Sequence, residues 1–140
     1  MNDPFIMNGK VKIKIEGKRG TRTYEQNNLI VDSGKNVVRD LLRAGSGIAL
    51  SRIALGTGTT SATVSDTGLE TQVFIKNITS KDVADKTLLC KLFVTTTEVS
   101  GTFNEVGLFA GSTLFSRIVL LTPIEKAADE TLYLEWEITF

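Results

Sequence analysis

The stretch from residue 132 to residue 140 constrains the fold more than any other. Leu132, Leu134, Trp136, Ile138 and Phe140 alternate with Tyr133, Glu135, Glu137 and Thr139. A period of two puts the first set on one face of a strand and the second on the other. The same rhythm runs near the front, where Val11, Ile13 and Ile15 alternate with Lys10, Lys12, Lys14 and Glu16. Strands of this kind build a sheet with a dry face and a wet face, and the dry face must be covered. Gly17-Lys18-Arg19-Gly20 reads as the hairpin turn after the first strand, with glycine supplying positive φ.

A second strand follows over residues 21–26. Others are expected over 53–55, 72–80, 87–97, 103–109 and 113–121, the last two joined by a turn at Ala110-Gly111-Ser112. One segment breaks the pattern. Val37, Val38, Leu41 and Leu42 fall at i, i+1, i+4 and i+5, with Lys35, Arg39 and Arg43 elsewhere on the wheel, as in an amphipathic helix. Ser33 is the expected N-cap, with Asp32 competing, and Gly45 the stop. The expectation is a mainly β chain: an antiparallel β-sandwich of about seven or eight strands with one short α-helix near residues 33–44. It forms a single domain over 1–140, with residues 1–9 a candidate N-terminal arm.

Composition then removes function classes. The chain has 140 residues, no histidine, one cysteine and a net charge of zero. A His-based triad, a His-ligated metal site and an internal disulfide are therefore impossible within one chain. Balanced charge argues against a nucleic-acid partner. No apolar run approaches the roughly 20 residues that span a bilayer, and residues 1–8 are too short and polar for a signal peptide. The neutrality hides a split. Residues 1–43 carry nine basic and five acidic side chains, and residues 44–140 carry seven and eleven. Such a dipolar chain suits packing against copies of itself or complementary neighbours; the alternative is chance clustering on a solvated surface.

No constellation reads as catalytic, and no cofactor or metal is expected. Gly56-Thr57-Gly58-Thr59-Thr60-Ser61 lacks the Lys-Ser/Thr pair of a phosphate loop and reads as a turn closing a strand. The acidic pairs Asp82 with Asp85, Asp129 with Glu130, and Glu135 with Glu137 read as solvated faces. Phe103, Phe109, Phe115 and Trp136 read as core, Cys90 as a buried small hydrophobe, and Phe140 as an apolar end needing cover from its own sheet or a neighbour. The lysines of the first strand read as protection of a sheet edge in preference to an anion site. A carbohydrate-binding or hydrolytic module would need Trp136 and Tyr133 exposed in one groove beside Glu135 or Glu137.

Three segments carry a resemblance. They are Ser51-Arg52-Ile53-Ala54-Leu55-Gly56-Thr57-Gly58, Asp66-Thr67-Gly68-Leu69-Glu70-Thr71-Gln72-Val73, and Asn104-Glu105-Val106-Gly107-Leu108-Phe109-Ala110 followed by Thr113-Leu114-Phe115-Ser116-Arg117. In this order they resemble the ALGxG…DTxL…REVGLF…GxLxAR pattern of tailed-bacteriophage structural proteins, including tail-fibre components and tail-collar-fibre attachment domains. The resemblance covers residues from about 28 to 140. Asn104 departs from it, standing where the pattern has arginine. The resemblance implies a non-enzymatic virion protein, assembled in the host cytoplasm. Its partners would be tail or baseplate proteins and further copies of itself. The alternative is a capsid decoration protein on the major capsid protein. Candidate contacts are a basic patch of Lys10, Lys12, Lys14, Lys18, Arg19 and Arg22, the loop residues Thr57, Thr59 and Thr60, and Phe140. Within the third segment, Gly107 implies a bulge or a close approach. Glu105, a polar group entering an apolar run, needs a partner in Arg117 or Arg52.

Overall fold

Alternation becomes burial in the two strands that show it best. Val11, Ile13 and Ile15 are buried, as are Leu132, Leu134, Trp136 and Ile138. The computed structural model describes residues 7–140. Within them the elements run β1 (Asn8–Gly17), β2 (Gly20–Ile30), α1 (Asp32–Ala44), β3 (Leu50–Gly56), β4 (Gln72–Asn77), β5 (Ser80–Ala84), β6 (Thr87–Val94), β7 (Gly101–Ala110), β8 (Thr113–Lys126) and β9 (Thr131–Thr139). Residues 1–6 of the expected arm lie outside the described residues, while Asn8 and Gly9 belong to β1.

The chain is mainly antiparallel β with one helix, and its strands form one sheet in the order β4-β3-β7-β8-β2-β1-β9-β6-β5. This gives nine strands where seven or eight were expected, hydrogen-bonded in one continuous series and curled as a half-barrel. Two features produce the curl. Most of β2 pairs with β1, but its last residues, Leu29 and Ile30, pair with Arg117 and Ser116 of β8. The edge strands β4 and β5 follow one another through Ile78 and Thr79. The Ile78 N–H donates to the Ser51 carbonyl and the Thr79 N–H to the Lys91 carbonyl, both at 2.8 Å. The two halves face each other across one core, where Val11, Leu92, Leu134 and Trp136 meet Ile53, Phe103, Val106 and Leu108. Burying each such side chain contributes about 1.5–3 kcal/mol. The Trp136 indole N–H faces the Asn28 amide, and donates to its oxygen at 2.6 Å when that amide is oriented with its nitrogen toward the Gly9 carbonyl.

The register corrects one reading. β1 lies between β2 and β9, in the sheet interior. Its lysines therefore do not guard an edge. Which strand ends a sheet depends on pairings between residues far apart in sequence.

The helix starts at Asp32 and is capped by neither Ser33 nor Asp32. Val31 takes the N-cap position without a side-chain bond. Its N–H donates to the Phe115 carbonyl at 3.2 Å, and the Asp32 N–H donates to the Val64 carbonyl at 2.8 Å. Ser33 Oγ donates instead to the Leu114 carbonyl at 2.6 Å. Backbone carbonyls of adjoining segments thus replace the side-chain cap. Gly45 ends the helix as expected, with φ of 68°. Gly34 is buried, and a Cβ there would overlap the Phe115 carbonyl, so α1 rests directly on the backbone of β8.

An ionic cluster closes the end of the sheet near the β1–β2 turn. Glu130 is fully buried. It accepts bonds from Arg22 Nη1 at 3.0 Å, Arg19 Nη2 at 2.8 Å and the Ala127 N–H at 2.9 Å. The Arg22 guanidinium and then the Ala127 N–H hold its carboxyl down to about 2. Beside it Lys126, also buried, donates to the Val99 carbonyl at 2.7 Å.

Two predictions follow from these packings. Gly34→Ala should lower the unfolding free energy in urea by on the order of 1–3 kcal/mol through overpacking. That exceeds the ~1 kcal/mol of helix propensity alanine adds; Lys35→Ala, on the exposed face, is the control. The second concerns acid. Because the folded pKa of Glu130 lies below the unfolded value near 4.5, its stabilisation is full above pH 4.5 and is lost as pH falls toward 2. Glu130→Gln should flatten thermal-unfolding midpoints across that window while lowering them at neutral pH.

Candidate functional site

Two strands and the long loop between β3 and β4 meet at one buried carboxylate. Glu105 sits on β7, where the register shifts between Phe103 and Glu105, and its side chain is fully buried. Oε2 accepts the Gly58 N–H at 2.7 Å and the Thr71 N–H at 2.8 Å. Oε1 accepts the Glu70 N–H at 2.8 Å and Arg117 Nε at 3.0 Å. Arg117 comes from β8 and donates through Nη1 to Asp66 Oδ2 and through Nη2 to the Thr60 carbonyl, each at 2.9 Å. Asp66 in turn accepts the Thr63 N–H at 3.0 Å. Burial raises the Asp66 pKa, but the Thr63 bonds and Arg117 outweigh it and hold the carboxyl below its ordinary value. Among the described residues no buried side-chain nitrogen or oxygen of this knot lacks a hydrogen-bond partner, which a buried ion pair requires if it is not to destabilise the fold.

Glycine makes room for the knot. A Cβ on Gly56 would lie 2.7 Å from Glu105 Oε2 and 2.5 Å from the Thr71 carbonyl. A Cβ on Gly58 would overlap the same carboxylate. At Gly107 a Cβ would lie 2.8 Å from Leu69 Cδ2. The close approach expected at Gly107 is therefore present, and the β7–β8 register shifts fall on either side of it. Glu105 takes Arg117 of the two partners foreseen. Arg52 reaches the Gly111 carbonyl at 2.6 Å instead.

The expected contact residues divide into three places. Thr57, Thr59 and Thr60 are exposed at the rim of the knot. Their backbone is pinned: Thr57 N–H donates to the Thr71 carbonyl at 2.9 Å, and Thr59 N–H to Glu70 Oε1 at 3.0 Å. Glu70 is held below its ordinary pKa by the Thr60 side chain first and then the Thr59 N–H. Asn104 Nδ2 lies 3.4 Å from the Thr57 carbonyl on the same rim.

The six basic residues are not brought together as an uncompensated patch. Lys10 pairs with Glu25 at 3.0 Å, Lys12 with Glu137 at 3.2 Å and Lys14 with Glu16 at 3.1 Å. Arg19 and Arg22 serve Glu130 at the turn. Only Lys18 has no ionic partner among the described residues. The outer face of β1, β2 and β9 is thus a ladder of alternating charge, each exposed pair worth about 0–1 kcal/mol. Glu135 and Glu137 face β1 lysines across this ladder. Phe140 lies elsewhere, 45% exposed at the mouth of the half-barrel, with its N–H on the Lys86 carbonyl at 3.0 Å.

Trp136 is fully buried and Tyr133 lies on the opposite face of β9, so no groove of exposed aromatics forms beside Glu135 or Glu137. Cys90 is buried, and burial pushes its thiol up to about 11. Among the described residues no three acidic, Cys or His side chains gather as a metal site, and no helix is long and apolar enough to cross a membrane. The roles of Asp66 and Glu70 in fixing the threonine loop were missed from sequence. The signal available was their place in the second motif segment. No protein family, curated protein or solved structure matches the chain.

Removing the buried acceptor should be far more damaging than cutting the surface ladder. Glu105→Gln removes one of the two carboxylates that Arg117 pairs with and sets an amide NH2 against N–H donors at a fully buried site, and should lower the unfolding free energy by about 3–5 kcal/mol. Lys12→Ala should change it by less than about 1 kcal/mol. Urea titration of both variants measures the contrast.

Proposed function

We propose that the chain is a non-enzymatic structural protein of a tailed-bacteriophage virion, a tail-associated adaptor or fibre-attachment component that assembles through protein–protein contacts. One observation carries this reading. The three segments that resemble phage tail proteins converge on Glu105: Gly56 and Gly58 from the first, Asp66, Leu69, Glu70 and Thr71 from the second, and Glu105, Gly107 and Arg117 from the third. A resemblance carried by such a knot concerns how a building block is held together, and it favours a shared fold role over a shared chemistry.

The same knot supplies a contact surface. It holds the backbone of residues 57–60 at four points while leaving Thr57, Thr59 and Thr60 exposed. A loop fixed before binding loses little entropy on docking, and rigidly mounted loops are where binding residues concentrate. The facing halves of the curled sheet would act as the two layers of a sandwich behind it. Partners in this reading are other tail or baseplate proteins and further copies of the chain. The charge ladder makes the outer sheet face a poor source of long-range attraction, which moves the expected docking surface from the lysines to the threonine loop.

Quantitative mass spectrometry of purified particles tests the proposal. The tail reading expects a few to a few dozen copies per particle, on the order expected for symmetric tail assemblies. Hundreds of copies would instead assign the chain to capsid decoration, and absence from particles would overturn both.

A further inference from the structure

β5 is one of the two strands that end the sheet. Among the described residues it pairs with β6 on one side and with no strand on the other. All five of its residues are exposed. The outer N–H and C=O groups of such an edge are a template for another strand, and charged side chains usually guard them. β5 carries two charges, but both are engaged on their own chain. Lys81 Nζ donates to the Leu50 carbonyl at 2.9 Å, and Asp82 Oδ2 lies 3.2 Å from Lys91 Nζ. Beside them the edge presents Val83, 77% exposed. Val83 also stands at the rim of an apolar cleft of about 330 Å³, lined by Val37, Val38 and Leu41 of α1 with Leu88 and Ile138 of the sheet.

The sequence of β5 indicates what this edge takes. When two copies of one strand pair antiparallel about a two-fold axis, one residue faces its own copy. Centred on Lys81 or on Asp82, that arrangement sets like charges directly opposite each other, which destabilises a strand pair. Ser80 and Ala84 end the strand, and a centre there pairs no other residue of β5 with β5. Centred on Val83, the arrangement sets valine against valine, Asp82 against the second copy's Ala84, and Lys81 against the second copy's Asp85. Lys81 keeps two further N–H donors for that contact. The chain has a net charge of zero, so copies meet without overall repulsion.

We propose that β5 is a self-association edge. Two copies join antiparallel along it, with Val83 at the two-fold axis and Lys81 of each copy facing Asp85 of the other. The two nine-stranded sheets then continue into one, and the apolar clefts of the two copies become neighbours across the axis. An edge of five residues gives a contact at the small end of protein interfaces, so the dimer is weak and reversible. The inference rests on the strand edge alone and stands or falls apart from the virion reading.

Sedimentation velocity of the full chain over about 0.01–1 mM, the range in which a small interface populates a dimer, tests it. The expected result is a concentration-dependent shift from monomer to dimer that stops there, because a two-fold contact closes on itself. Val83→Lys sets like charges at the axis and should leave the chain monomeric throughout. Leu121→Lys replaces an aliphatic side chain of similar exposure on β8 and should leave dimerisation unchanged. Both positions are exposed, so neither substitution touches the core, and far-ultraviolet circular dichroism checks that the fold is kept. Asp85→Asn suits the φ of 55° at that turn and should weaken the dimer several-fold at low salt. A monomer at every concentration would overturn the proposal. So would growth beyond the dimer, which would indicate head-to-tail pairing of β5 with β4, or dimerisation that survives Val83→Lys.

Discussion

The carboxylate of Glu105 is the constraint on which the rest of this structure depends. It replaces lost hydration with three backbone N–H groups and the Arg117 guanidinium. Those donors come from three stretches of chain, Gly58, Glu70 with Thr71, and Arg117, so satisfying one buried charge fixes the relative positions of β7, β8 and both ends of the loop between β3 and β4. Apolar packing would tolerate small slides between these segments. A buried carboxylate with two donors on each oxygen does not, because each slide leaves a desolvated group unpaired. The loop thereby acquires the rigidity of a strand without being one.

Charge elsewhere in the molecule is also used internally. The front of the chain is basic and the remainder acidic, and folding interleaves them: β1 lysines face the carboxylates of β2 and β9, and two arginines of the first hairpin close on Glu130. The asymmetry seen along the sequence is largely spent in bringing the first hairpin against the last strand. It leaves a mixed-sign surface that resists non-specific association.

Much of the fold was legible because alternation is a local signal. β1, β9, the helix, its glycine stop and the two hairpin turns can be read from adjacent residues. So could the need of Glu105 for a partner, since a carboxylate within Phe103 to Phe109 has nowhere else to go. What escaped was non-local or lacked a pattern. β5 shows no alternation because all five of its residues are exposed. β8 runs on through Pro123 to Lys126, past the point where a proline argues for an end. The central place of β1, and with it the use of its lysines, depends on pairing with the far end of the chain. The helix N-cap was misread because carbonyls from residues 64 and 115 do the work that a side chain does in an isolated helix.

The pairing of β1 with β9 also has a consequence for how the molecule comes into being. Asn8 meets Thr139 and Glu16 meets Thr131, so the strand made first waits for the strand made last. Until then Val11, Ile13 and Ile15 have only the β2 hairpin beside them, and a two-stranded hairpin is marginal in water. Non-local pairing of this kind places a chain among the slow folders, in the range of roughly milliseconds to seconds. The sheet therefore closes only after synthesis has passed its ninth strand. Completion of the core is thus a property of the whole chain: a product truncated before β9 leaves the apolar row of β1 without the strand that covers its flank.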